Sequence, residues 1–197
     1  MPTYETRRLV LRQRPGLDAL SQLAEAADWT LLADNADQAY AQRTREQSWG
    51  VRHGLHVYAI ADVMTDCCAV SVVADDAEDG EAFLNLLVQH LRPLSHDELH
   101  GDFTELHDPI DRVLRLIQLT LSAPEEFDAS IFDRLVQAAR DPDDRVRDTV
   151  TLASGYVAWP QVRTVLKDLA EHDGHTGVRR DAQIALETYD RAGIPDV

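Results

Sequence analysis

Two histidines, His96 and His100, stand four residues apart in the run His96-Asp97-Glu98-Leu99-His100. On a helix this spacing puts both rings on one face, where they could bind zinc. The run falls short of a metalloprotease motif, because Asp97 follows the first histidine where a glutamate is required. Its competing role is structural, since Ser95 followed by Glu98 is a capping-box signature for a short connecting helix. His90, His107 and Asp108 are the nearest further ligands, and spacing selects none of them.

Other reactive side chains are arranged no more suggestively. Asp75, Asp76, Glu78, Asp79 and Glu81 cluster around Gly80, but they lack the alternation of a calcium loop and suit the N-terminus of a helix. Cys67 and Cys68 are neighbours in an apparent strand, so their side chains point to opposite faces and cannot readily bridge. No pattern beside them marks an activated thiolate. Ser71 and Ser154 lack a glycine elbow, and there is no glycine-rich phosphate loop. The expectation is a chain that is not an enzyme and holds no metal or cofactor.

Composition narrows the partners. A formal net charge of −16 over 197 residues argues against a phosphate-binding surface, which needs clustered cations. The acidity fits solubility, an acid-biased proteome or the capture of a basic protein. Lys167 is the only lysine among 19 basic residues. No apolar run approaches membrane-spanning length, and the charged start at Arg7, Arg8, Arg12 and Arg14 leads into no signal-peptide core. With two unbridged cysteines, the expected location is cytoplasmic.

The elements that would display these residues are clearest in the second half. Asp108-Pro109-Ile110-Asp111-Arg112-Val113 recurs as Asp141-Pro142-Asp143-Asp144-Arg145-Val146, 33 residues on, and a weaker copy begins 32 further at Asp173. Each copy opens a helical pattern: Val113, Ile117 and Thr120, then Val146, Val150 and Ala153, then Val178, Ala182 and Ala185. Asp108 and Asp141 are expected caps, with Pro109 and Pro142 in the first turn. Between them lie second helices, with Ile131, Leu135 and Ala138 matching Val162, Leu166 and Leu169. A period in the thirties with this alternation predicts a solenoid of helix pairs.

This stretch, about residues 108 to 192, resembles the HEAT-repeat superfamily, whose first helices often carry Asp and then Val-Arg, here Asp141 with Val146-Arg147 and Asp173 with Val178-Arg179. The resemblance implies a HEAT-like solenoid of about 2.5 repeats in which Arg147 and Arg179 form an internal ladder. The first repeat departs from the pattern, with Leu114 at the arginine position. Relatives that grip DNA do so with a basic groove, which the mixed charges here do not supply.

The first hundred residues read as a small α+β domain. Gly16 to Ala27 predicts a helix, and Thr44 to Val51, Leu55 to Asp62 and Cys67 to Ala74 predict three antiparallel strands. A helix from Ala77 to Leu91, with Phe83, Leu86, Leu87 and Leu91 as its apolar stripe, would cover the sheet. The expected domains are 1–101 and 102–197.

Such a scaffold points to a non-catalytic protein-protein interaction module, with an acidic inhibitor or immunity-type protein against a basic partner as its sharper form. The expected contact ridge lies on the second helices: Phe132, Asp133, Val136 and Gln137, with Arg163, Thr164, Lys167 and Asp168. The alternative is an enzyme or maturation lyase, with a ligand or metal pocket where the halves join, lined by His96, His100, His107 and a cysteine.

Overall fold

The computed structural model describes residues 3–39, 43–101 and 103–196, and the chain divides into two compact units, 1–99 and 100–197. The boundary falls two residues before the expected one, and Asp102 lies outside the described residues.

The first unit is an antiparallel sheet of six strands among the described residues, not three. The three expected strands are present as β4 (Thr44–Arg52), β5 (Leu55–Asp62) and β6 (Cys68–Ala74). In β5, Leu55, Val57 and Ala59 are buried and alternate with half-buried residues, the pattern of a strand with one face on the core. Gly54, at φ +72°, makes the tight turn from β4 into β5. The additional strands are β1 (Tyr4–Glu5), β2 (Leu9–Val10) and β3 (Thr30–Asp34). Strands β1 and β2 both pair with the free side of β6, and β3 forms the opposite edge beside β4. The first two are only two residues long, and β3 is exposed throughout, so none shows a buried-exposed alternation.

Helices α1 (Gly16–Ala26) and α2 (Ala77–Leu91) pack on the central strands. A Cβ on Gly16 would come 2.5 Å from Cys68 Cβ, so the start of α1 needs glycine to approach β6. In α2 the buried stripe is Gly80, Leu84 and Leu87, while Leu86, expected inside, is exposed. Asp76 caps α2 by accepting from Glu78 N at 2.7 Å. A short helix, α3 (His96–His100), follows. Its start is the expected capping box, with Ser95 N donating to Glu98 Oε2 at 2.8 Å and Glu98 N donating to Ser95 Oγ at 3.3 Å.

The second unit is helical: α4 (Pro109–Leu121), α5 (Ala129–Ala138), α6 (Asp144–Val157), α7 (Val162–His172) and α8 (Thr176–Arg191), preceded by a 3₁₀ turn at Phe103–Glu105. First helices stack on first helices, α4 on α6 and α6 on α8, while α5 packs on α7. Ile117, Val150 and Ala182 are fully buried between the stacked first helices, as are Leu135 and Leu166 of the second helices. Val146 and Val178 are buried too, but Val113 is only half-buried.

The repeat register differs from the letter match. The cap of α6 is Asp143, which accepts from Arg145 N at 3.0 Å, not Asp141. Helix caps therefore fall at Asp108, Asp143 and His175, 35 and 32 residues apart. Four residues after each cap stands an arginine: Arg112, Arg147 and Arg179. In the first repeat the position equivalent to Arg147 and Arg179 is therefore Arg112, not Leu114. Arg112 Nη1 donates to Leu106 O at 2.7 Å and His107 O at 3.1 Å, and Arg147 Nη1 to Asp141 O at 2.9 Å and Pro142 O at 3.1 Å. Arg179 Nη1 donates to Asp173 O. Each guanidinium so holds the turn before its own helix.

Two of them also reach forward to the next turn. Arg147 pairs with Asp173 through Nε at 2.7 Å and Nη2 at 3.0 Å, and Arg112 Nη2 donates to Asp141 Oδ1 at 3.1 Å. The Asp173 side chain is only 2 % exposed, and the Arg147 hydrogen bonds hold its carboxyl below the usual carboxylate range.

Candidate binding ridge and groove

Helix α5 begins at Asp128, whose carboxylate accepts from Ser130 N at 2.8 Å and Ile131 N at 3.1 Å. With Ile131, Leu135 and Ala138 turned into the core, the 3.6-residue period leaves Asp133, Val136, Gln137 and Arg140 along the outer side. Asp133 and Arg140 are exposed, and Val136 and Gln137 half-buried. Four of the expected ridge residues lie on this helix, and three of them line one groove.

That groove has a volume of about 630 Å³. Asp133, Val136, Gln137 and Arg140 form one wall, while Phe103, Leu106, Arg112, Asp141 and Pro142 complete it. The sequence reading missed the contribution of Phe103, Leu106, Asp141 and Pro142. They belong to turns, in which arginines hold the carbonyls of Leu106, Asp141 and Pro142.

The polar groups of the groove fall into two kinds. Arg112 and Asp141 form an ion pair, with Nη2 donating to Oδ1 and Nε 2.8 Å from Oδ2, although the buried Nε makes no hydrogen bond. Gln137 Oε1 accepts from Arg134 Nη1 at 3.0 Å. Among the described residues, the side chains of Asp133 and Arg140 have no hydrogen-bond or ion-pair partner. The groove therefore combines apolar lining residues, Phe103, Leu106, Val136 and Pro142, with one free anion and one free cation.

Phe132 plays a different part. Its ring lies 5.6 Å from that of Phe127, which in turn meets Trp159 edge-on at 5.4 Å, while Trp159 Nε1 donates to Glu125 O at 3.1 Å. Phe132 is a half-buried member of an aromatic cluster that joins two turns.

The α7 half of the expected ridge is largely occupied by the chain itself. Arg163 is 6 % exposed, so it is not a surface contact residue. It donates through Nε at 3.0 Å and Nη2 at 2.7 Å to Ile194 O, pairs with Asp190, and lies 5.7 Å from the Tyr189 ring centre. Lys167 Nζ donates to Asp196 Oδ1 at 2.7 Å. Thr164 and Asp168 are exposed, with the Thr164 hydroxyl donating to Gln161 O and Asp168 3.1 Å from His172 Nδ1. The sequence signal for this closure was the stop at Gly193, whose φ of +70° lets the segment after α8 turn back.

The other chemical candidates are used within the framework. His96 is 78 % exposed, and Glu98 beside it is consumed by the capping box and by Arg12 at 2.7 and 2.8 Å. Among the described residues, no three His, Cys, Asp or Glu side chains are grouped so as to hold a metal ion. Asp79 pairs with Arg52 at 2.7 Å, and Glu81 accepts from the Tyr4 hydroxyl at 2.7 Å. Both cysteines are buried and free, and burial pushes the Cys68 thiol up to about 12. The hydroxyls of Ser71 and Ser154 donate to Glu5 and to the Thr151 carbonyl.

No helix among the described residues is long and apolar enough to cross a membrane. No protein-family profile, curated protein or solved structure matches the chain.

Proposed function

We propose that the chain is a non-catalytic protein-binding module of HEAT-like architecture, and that it engages its partner through α5 and the groove beside it. The observation that carries this reading is the groove itself. Its apolar lining, from Val136, Leu106, Phe103 and Pro142, is flanked by the unused charges of Asp133 and Arg140, whereas the other reactive side chains described above largely serve caps, turns and core.

Charge favours a basic partner. Five cations of the helical unit are held in ion pairs, Arg112 with Asp141, Arg145 with Asp143, Arg147 with Asp173, Arg163 with Asp190 and Lys167 with Asp196. Exposed Asp111, Glu125, Glu126 and Glu171 stand outside these pairs and leave the surface negative. An acidic inhibitor or adaptor for a basic protein in a reducing, cytoplasmic setting fits both this surplus and the unbridged cysteines.

The test is a photo-crosslinking side chain at Val136, compared with one at Ile184 on α8, in cells of the native host. The reading expects one basic protein captured at Val136 alone, and its complex with the purified chain weakening as salt rises. Equal capture at both positions would overturn it.

A further inference from the structure

We propose that the occupant of the groove is a single amphipathic helix of the partner, carrying a carboxylate that meets Arg140 and, two turns along, a cation that meets Asp133. This rests on the protein-binding reading of the groove and specifies what enters it.

The walls select a helix. An extended peptide gains its affinity by hydrogen bonding to free backbone groups at a sheet edge. The groove offers no sheet edge. Leu106 O, Asp141 O and Pro142 O are already taken by Arg112 and Arg147, and the α5 wall presents side chains. A segment docking there must bring its own backbone bonds satisfied, which a helix does.

Spacing then sets the pattern. Asp133 and Arg140 are seven residues apart on one side of α5 and its C-terminal turn, about 10 Å along the axis at 1.5 Å per residue. Val136 and Gln137 lie between them. A partner helix laid along α5 presents the complementary arrangement at i, i+3, i+4 and i+7: charge, apolar, apolar, opposite charge. Glutamate first and lysine last is the order a helix itself prefers, and this order makes the docked helix antiparallel to α5.

The local pattern makes a different prediction from bulk acidity. A surface acting only through its net charge of −16 binds the most cationic peptide best. A groove with one charge of each sign prefers the peptide with one charge of each sign.

The probes are three fluorescein-labelled helical peptides, identical but for positions i and i+7, which are Glu and Lys, Lys and Lys, or Glu and Glu, with Leu at i+3 and i+4. Binding to the full chain is measured by fluorescence anisotropy at low salt. The mixed peptide is expected to bind the wild-type protein most tightly, by roughly fivefold for one exposed pair turned from attraction to repulsion. Arg140→Glu moves the preference to the Lys/Lys peptide, and Asp133→Lys moves it to the Glu/Glu peptide. Both positions are exposed, so neither variant disturbs the core.

Two outcomes overturn the inference. One is a wild-type preference for Lys/Lys that neither variant alters. It leaves the groove's role as a protein-binding surface intact, provided that crosslinking at Val136 still captures a basic protein. The other is binding too weak to rank any peptide.

Discussion

Replacing Arg147 by alanine removes four hydrogen bonds at once, two to the Asp173 carboxylate and two to the carbonyls of Asp141 and Pro142. Asp173 is then left in a site where its side chain is 2 % exposed, with the backbone N–H of His175 at 2.8 Å. Removing one partner of a fully buried pair costs about 3–5 kcal/mol. The Arg147 side chain retains 16 % exposure, and water reaching the vacated space softens the loss to about 2–4 kcal/mol. For a unit of this size that corresponds to a fall in Tm of roughly 10–25 °C. Arg180→Ala supplies the comparison, because that side chain is 73 % exposed and water screens its pairing with Asp181. With Trp29 and Trp49 changed to Phe, Trp159 reports the helical unit alone, and its emission can be followed through urea titration. A loss for Arg147→Ala no larger than that for Arg180→Ala would refute the view that this rung holds the repeats together.

Three further outcomes are expected. The Asp173 carboxyl lies below its usual range chiefly because of Arg147, so its stabilisation is complete above the unfolded pKa of about 3.9 and is lost as pH falls through the lower folded value. Asp173→Asn should therefore flatten the acid limb of helical-unit stability below about pH 4, and an unchanged slope would count against the assignment. Tyr189→Phe removes the buried hydroxyl that donates to Ser154 O at 2.9 Å and should lower stability by about 0.5–1.5 kcal/mol, read from the Trp159 urea midpoint; no shift would show that bond to be idle. Gly16→Ala forces a methyl to within 2.5 Å of Cys68 Cβ and should cost the first unit about 1–3 kcal/mol in urea unfolding followed by Trp49 emission, whereas a neutral result would mean that α1 can shift freely on the sheet.

Periodicity revealed the helices because their buried faces are regular. Ile131, Leu135 and Ala138 recur as Val162, Leu166 and Leu169, and the structure buries all six. Short or solvated strands gave no such signal: β1 and β2 are held by a pairing partner distant in sequence, and β3 has no buried residue. The repeat register is masked in the sequence because Asp-Pro is conspicuous, while the geometry that recurs is an arginine four residues beyond each cap. Half of the ridge was legible on the same terms. Helical spacing put Asp133, Val136 and Gln137 outside, and nothing in the local pattern of α7 told that Ile194, Asp190 and Asp196 would return to claim Arg163 and Lys167.

The forward reach of the arginines gives the stack a direction. Arg112 depends on a carboxylate 29 residues ahead of it and Arg147 on one 26 ahead, so each layer is completed by chain that emerges later from the ribosome. During synthesis, the first layer must wait with an unquenched guanidinium until the second arrives. Trimming the protein from its C-terminus should likewise loosen the layer behind each cut, so that damage travels backward toward the N-terminus and not outward from it.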